Sequence, residues 1–255
     1  MLNVVALIPA YEPDWRLVGF AESLVEQGFR HVVVVDDGSG EACRDIFKVL
    51  SKMPQCTVLH FESNYGKGAA LKMGFMFVQM RMSDAIGVVT ADCDGQHSVE
   101  DCRRLADELA KDPGRMYLGC RDFSLPGVPF RSRFGNRWSS ITFLLLHFRW
   151  LPDSQTGLRA MPTSMLPMLI DVYGDRFEYE MGVLIKAAWK RVRISSVPIS
   201  TIYENGNAGT HYRPILDTVR INLRVFSWLI NLVVILAFAA LVLMIVTEFV
   251  RLDMV

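Results

Sequence analysis

The stretch Ala85-Ile86-Gly87-Val88-Val89-Thr90-Ala91-Asp92-Cys93-Asp94-Gly95-Gln96-His97 decides how this chain is read. Its apolar first half has the length of a buried strand, and it stops at two carboxylates one residue apart. Open α/β sheets bind their ligands at that C-terminal edge. Asp92, Asp94 and the amide oxygen of Gln96 make an all-oxygen set suited to Mg²⁺ or Mn²⁺, ions that usually also hold substrate phosphates. An isolated Asp-x-Asp reads more readily as a solvated acidic turn, so its surroundings carry the decision.

Outward from this point the first half of the chain alternates strands and helices. Val4–Ile8, His31–Val35, Thr57–Phe61 and Ala85–Thr90 read as strands. Helical patterns follow them at Arg16–Gln27, Glu41–Ser51, Ala69–Arg81 and Val99–Lys111. The β-α-β-α order predicts a doubly wound, mostly parallel sheet, an α/β fold. After Tyr117–Gly119 the pattern loosens into a Pro/Gly loop at Leu125–Pro129 and an apolar, aromatic segment at Phe134–Trp150. Arg131, Arg133, Arg137, His147 and Arg149 lie near the ends of that segment, which fits a core helix or a helix in a membrane interface. Phe177–Arg191 suits an amphipathic helix and Val192–Ile199 a strand.

Lysine plus arginine and aspartate plus glutamate balance at 27 each, which points away from nucleic acid or an acidic polymer as partner. The five cysteines form no Cys-x-x-Cys pair and read as reduced thiols of a cytosolic compartment. Met1–Pro9 lacks the basic n-region of a signal peptide and reads as the start of the fold. Between Val225 and Val246 no residue is charged, and a helix of that length spans roughly 30 Å, the thickness of the hydrocarbon core. Arg213, Arg220 and Arg224 precede this run, so the positive-inside bias places residues 1–224 on the cytoplasmic side of the membrane. The expected organisation is a globular domain over 1–212, a juxtamembrane segment over 213–224 and a single-pass C-terminal anchor over 225–248.

Several sites are excluded. Leu71 stands where a dinucleotide-binding Gly-x-Gly-x-x-Gly needs its third glycine, and no Ser or Thr follows Lys67 as a P-loop requires. A Gly-x-Ser-x-Gly nucleophile elbow is also missing. What remains is ordered along successive strand ends: Pro9-Ala10-Tyr11, then Asp36-Asp37, then Asn64 to Gly68, then Asp92 and Asp94. A carboxylate at the second strand can bind a ribose or base, Tyr11 can flank a base, and Lys67 beside a helix N-terminus suits a phosphate. Taken singly, Asp37 could be a helix cap, Lys67 a surface lysine and Tyr11 core; their order favours one shared crevice.

This order, Pro9-Ala10-Tyr11, Val35-Asp36-Asp37-Gly38-Ser39, Asn64-x-Gly66-Lys67-Gly68-x-Ala70-Leu71 and Asp92-x-Asp94-Gly95-Gln96-His97, resembles the family 2 glycosyltransferases of GT-A fold. Within them it is most similar to the dolichyl- or polyprenyl-phosphate sugar synthases. The likeness continues through Gly119-Cys120-Arg121, Asp153 to Arg159, Phe177 to Glu180, Val197 to Ile199 and Thr210 to Pro214, covering roughly residues 4–220.

The resemblance implies that Pro9, Tyr11, Val35 and Asp37 contact the nucleotide of a sugar donor. It implies that Asp92 touches nucleotide or metal and that Asp94 and Gln96 ligate Mg²⁺ or Mn²⁺. Arg121 then faces the diphosphate or the acceptor phosphate, and His211 or Arg213 closes over the donor. Pro13 stands where the family often has Glu, which leaves Glu12 as the acid near the base, and Cys93 replaces a small residue while keeping its main-chain contact. Gly182 stands where some relatives carry an acid or amide. Processive synthases carry Gln-x-x-Arg-Trp; Leu146 and Phe134 occupy the Gln positions before Arg149-Trp150 and Arg137-Trp138, so transfer of one sugar is expected.

The implied reaction is inverting transfer from a GDP- or UDP-sugar to a polyprenyl phosphate. The metal and the basic groups Lys67, Arg121 and Arg213 would stabilise the leaving nucleotide. A lipid monophosphate is already anionic near pH 7, its second pKa being about 6, so no strong base is needed. A hydroxyl-bearing lipid acceptor would need one, with Asp153, Glu178 and Glu180 as candidates. A non-catalytic membrane scaffold of the same fold is the remaining alternative.

Overall fold

The computed structural model describes residues 2–125 and 128–201 and the single positions 226, 233 and 237. The apolar run that opens the chain is strand β1 (Leu2–Ala10), buried from Val4 onward. It pairs in parallel with β2 (Phe29–Asp36) on one side and β4 (Gly87–Thr90) on the other. β3 (Cys56–His60) extends the sheet beyond β2, again in parallel. On the far side β6 (Arg159–Pro162) lies antiparallel to both β4 and β5 (Met116–Arg121), and β7 (Ile194–Ile199) closes the edge parallel to β5. The full order is β3-β2-β1-β4-β6-β5-β7.

Both faces of this sheet are covered, which explains the near-continuous valine and isoleucine runs of β1 and β2. Val4, Ala6, Ile8, Val32 and Val34 face one core with α1 (Arg16–Glu26), α2 (Arg44–Leu50) and α4 (Val99–Lys111). The alternate residues Val5, Leu7, Val33 and Val35 face a second core. There they meet α3 (Lys67–Arg81), α5 (Phe130–His147), α6 (Leu166–Ile170) and α7 (Glu178–Trp189). The period of two along each strand thus splits one sequence run between two cores.

The mostly parallel sheet is observed, with one antiparallel member. β6 and α6 carry no readable signal: Arg-Ala-Met-Pro is short, and its first residue is an arginine that is nonetheless 3% exposed. The apolar segment at 134–150 becomes α5, shifted to Phe130–His147 because Pro129 fixes the entry and Phe148, at φ 55°, ends the helix. The core reading holds for one face of it. Phe143 is fully buried in the second core, while Phe130, Phe134, Trp138 and Leu145 are exposed. Among the described residues no helix is long and apolar enough to cross a membrane. The juxtamembrane segment and the expected anchor at 225–248 lie outside the described residues, save those single positions.

Candidate active site

The strand ends predicted to converge do so at the C-terminal edge of the sheet. Asp92 follows β4, and its Oδ1 lies 2.7 Å from Lys67 Nζ at the start of α3. The same ammonium reaches Glu180 Oε2, in the first turn of α7, at 2.9 Å. All three side chains are largely enclosed, at 17% exposure for Lys67, 27% for Asp92 and 14% for Glu180. Burial alone would lower the lysine pKa, but Asp92 and Glu180 outweigh it and raise it. Burial would likewise raise the Asp92 pKa, yet Lys67 and then His97 bring it well below the ordinary carboxylate range. Lys67 is therefore a clasp between two acids; two of its three donors already point at protein oxygens instead of a phosphate.

Asp94 differs. Burial, and next the neighbouring Asp92 charge, raise its pKa, and its own Oδ1 accepts the Gln96 N–H at 3.1 Å. It has no ion-pair partner among the described residues. A carboxylate left unbalanced in this way is suited to a cation. Cys93, between the two acids, lies with its sulfur toward the Tyr11 backbone, and burial pushes its thiol up to about 12, so it is not a nucleophile. His97 is 9% exposed; Nε2 stands 3.4 Å from Asp92 Oδ2, and neither ring nitrogen is in hydrogen-bonding geometry. Among the described residues no three His, Cys, Asp or Glu side chains gather as a metal cluster; the expected ligands are two acids and an amide.

The β1 and β2 ends are stitched to their neighbours. Asp37 is 3% exposed, and its carboxylate accepts the Tyr65 N–H at 2.8 Å and the Gly66 N–H at 2.9 Å. Burial raises its pKa against the opposing effect of those two N–H groups. Gly66, at φ 110°, turns the chain into α3 where a side chain would strike Asp175. Glu12 N–H donates to Ser39 Oγ at 2.9 Å, tying the β1 loop to the β2 loop. Pro9 and Val35 are buried in their strands, Tyr11 is half-buried and the Glu12 side chain is exposed.

Arg121, at the end of β5, is held by Asp153 through Nε at 2.7 Å and Nη2 at 3.1 Å, a two-point pairing to a fully buried acid. The guanidinium also lies over the Phe123 ring. The next loop brings Gly157 against Asp92: a Cβ there would meet Oδ2 at 2.5 Å. Sequence reasoning singled out Lys67, Asp92, Asp94 and Arg121, but it treated Glu180 and Asp153 as candidate bases and gave Gly157 no role. Those partners come from distant segments and leave no local spacing to read. His211 and Arg213 lie outside the described residues.

Residues 6–165 match the family described as glycosyl transferase family 2. The chain belongs to this family. It is 27% identical over 217 residues to the UDP-N-acetylglucosamine–dolichyl-phosphate N-acetylglucosaminyltransferase of Methanococcus voltae, covering 78% of this chain and 86% of that protein. It is 24% identical over 230 residues to the dolichyl-phosphate beta-glucosyltransferase of Saccharomyces cerevisiae, covering 78% of this chain and 66% of that protein. Among solved structures it is similar to glucosyl-3-phosphoglycerate synthase from Mycobacterium tuberculosis in complex with Mn²⁺, UDP and glucosyl-3-phosphoglycerate. The TM-score there is 0.67 at 16% identity, over 88% of this chain and 78% of that one. The shared fold accounts for the mixed seven-stranded sheet.

Proposed function

We propose that this family 2 glycosyltransferase moves one sugar from a nucleotide-sugar donor to a polyprenyl phosphate. One observation carries the choice of acceptor: Asp153, Glu178 and Glu180, the candidate general bases, are each tied to a donor through at least one oxygen. Asp153 is held at both oxygens by Arg121, and Glu180 pairs with Lys67. Glu178 Oε1 accepts the Asp175 and Arg176 N–H groups, and its Oε2 is buried without a hydrogen-bond partner, out of reach of an acceptor. An acceptor that arrives as an anion needs none of them. The named activities of the Methanococcus and yeast relatives support the same acceptor class.

Asp94 and Gln96 would hold Mg²⁺ or Mn²⁺, with Asp92 fixed beside them by Lys67. Asp92, Asp94 and Glu180 face Lys67 and the buried Arg159, which leaves this corner negative, the charge a divalent cation offsets. When bound, such an ion supplies Lewis-acid stabilisation of the departing diphosphate. Pro9, Tyr11, Glu12, Val35 and Asp37 form the nucleotide side of the crevice. Arg121, pre-oriented by Asp153, would bring its guanidinium charge to a phosphate.

Helix α5 supports a membrane setting for this reaction. Its buried face carries Asn136, Ser140 and His147 beside Phe143, whereas its exposed face carries Phe130, Phe134, Trp138, Ile141 and Leu145. Asn136 Nδ2 donates to the Pro152 carbonyl at 2.7 Å, which satisfies part of the polar inner face. A helix that turns its aromatics outward suits the headgroup region, where a polyprenyl phosphate surfaces. The reading places the catalytic domain on the cytoplasmic side, anchored through 225–248. Incubating the protein with UDP- and GDP-sugars, Mn²⁺ or Mg²⁺, and polyprenyl phosphate or diacylglycerol tests the proposal. A glycosylated polyprenyl phosphate is expected; glycosylated diacylglycerol, or no product with either lipid, contradicts it.

A further inference from the structure

We propose that His60, at the outer edge of the sheet, is a positioning residue that orders the nucleotide-binding loops from a distance. The inference rests on the donor-site reading above for its effect on binding, and on the structure for its loop contacts. His60 ends β3, and its Nδ1 lies 3.0 Å from Asp36 Oδ2. A carboxylate can only accept, so Nδ1 carries the proton and Nε2 is turned away from the acid. The other Asp36 oxygen accepts the Ser39 N–H at 2.8 Å, and the Ser39 hydroxyl oxygen accepts the Glu12 N–H at 2.9 Å. Three hydrogen bonds therefore run in series across the ends of β3, β2 and β1.

The last link holds a strained residue. Glu12 has φ 49°, a left-handed conformation that a glutamate adopts only with support, and it directly follows Tyr11. Asp36 is 6% exposed and depends on its two donors for solvation inside the protein. Withdrawing the imidazole leaves one oxygen of a buried carboxylate without a partner, and Asp36 then loosens its grip on the Ser39 turn.

The histidine itself contributes little packing. Its side chain is 52% exposed and meets Phe47 edge-on. Beside it lies a cavity of about 340 Å³ lined by Asp36, Ser39, Arg44, Phe47 and Lys48. Truncation at this position therefore acts on the loops more than on the core, and an asparagine can return a donor near the place of Nδ1.

The test uses the full chain as wild type, His60→Ala and His60→Asn. Binding of UDP and of GDP in Mn²⁺ is measured by calorimetry, and hydrogen exchange is followed at the Glu12 and Ser39 amides. His60→Ala is expected to weaken nucleotide binding about tenfold, on the order of one hydrogen bond, and to speed exchange at both amides. His60→Asn is expected to restore both. Unchanged binding and exchange in His60→Ala, or changes that His60→Asn fails to reverse, would overturn the proposal. If wild type binds neither nucleotide while the exchange pattern holds, the donor-site reading fails and the loop relay stands.

Discussion

Oδ1 of Asp92 lies 2.7 Å from Nζ of Lys67, and this pairing separates the roles of the two acids at the end of β4. Asp92 is committed to the protein, whereas Asp94, one residue beyond Cys93, has its charge opposed by its neighbour and balanced by no side-chain ion pair among the described residues. The two aspartates should answer differently to loss of charge.

Lys67→Met leaves Asp92 and Glu180 facing each other with nothing between them. Breaking such an enclosed pair costs about 3 kcal/mol, which a urea denaturation midpoint would register. Asp94→Asn is expected to shift stability slightly upward, by less than about 1 kcal/mol, because it removes a disfavoured charge. A stability loss in Asp94→Asn as large as that in Lys67→Met would mean that the acids are interchangeable.

The two carboxylates also differ in their dependence on pH. The Asp92 pKa is lowered in the folded protein, so its stabilisation is complete above its unfolded value of about 3.9 and is lost as pH falls toward the folded value. The stability gap between wild type and Asp92→Asn should therefore narrow from pH 5 to pH 2, by about 1 kcal/mol or more. Asp94, with a raised pKa, has the opposite sign: its folded form takes up a proton first, and the Asp94→Asn advantage should vanish on acidification. Urea titrations across this range give both slopes.

Gly157→Ala places a methyl carbon 2.5 Å from Asp92 Oδ2, closer than real contacts allow. Asp92 must move, and displacement of about 1 Å at a reacting centre costs on the order of 100-fold in rate. The expected result is a fall in kcat with circular dichroism unchanged. Full activity in this variant would show that Asp92 need not hold its place.

Replacement of exposed Trp138 and Phe134 by Glu should weaken association with vesicles of anionic phospholipid by at least about tenfold, from lost apolar burial and added repulsion. Turnover of a short, water-soluble polyprenyl phosphate should be unaffected. Cosedimentation with vesicles measures the first and product formation the second; equal vesicle binding by the variant removes α5 from the membrane.

Much of this was legible because its signals are local. β1, β2 and β4 are buried on both faces, so their sequences are continuous apolar runs, and each stops at polar residues at the C-terminal edge of the sheet. β6 was not, since pairing with β4 and β5 overrides the weak propensity of four residues beginning with arginine. The partners of the site residues were equally hidden. Arg121 and Asp153 are 32 residues apart, His60 and Asp36 are 24 apart, and nothing in their spacing says that the fold joins them. Glu180 looked like a base from its neighbours in sequence; only its distance to Lys67 shows it to be a counter-ion.

The most direct test is formation of a sugar-charged polyprenyl phosphate, followed by mass, with wild type and Asp94→Asn, each with Mn²⁺ and after chelation by EDTA. Wild type with Mn²⁺ should yield product, and chelation or the substitution should each reduce the rate by about 10³-fold, the upper range for losing one electrostatic stabiliser. Product formed by Asp94→Asn, or by chelated wild type, at the rate of the metal-loaded wild-type protein would contradict the account.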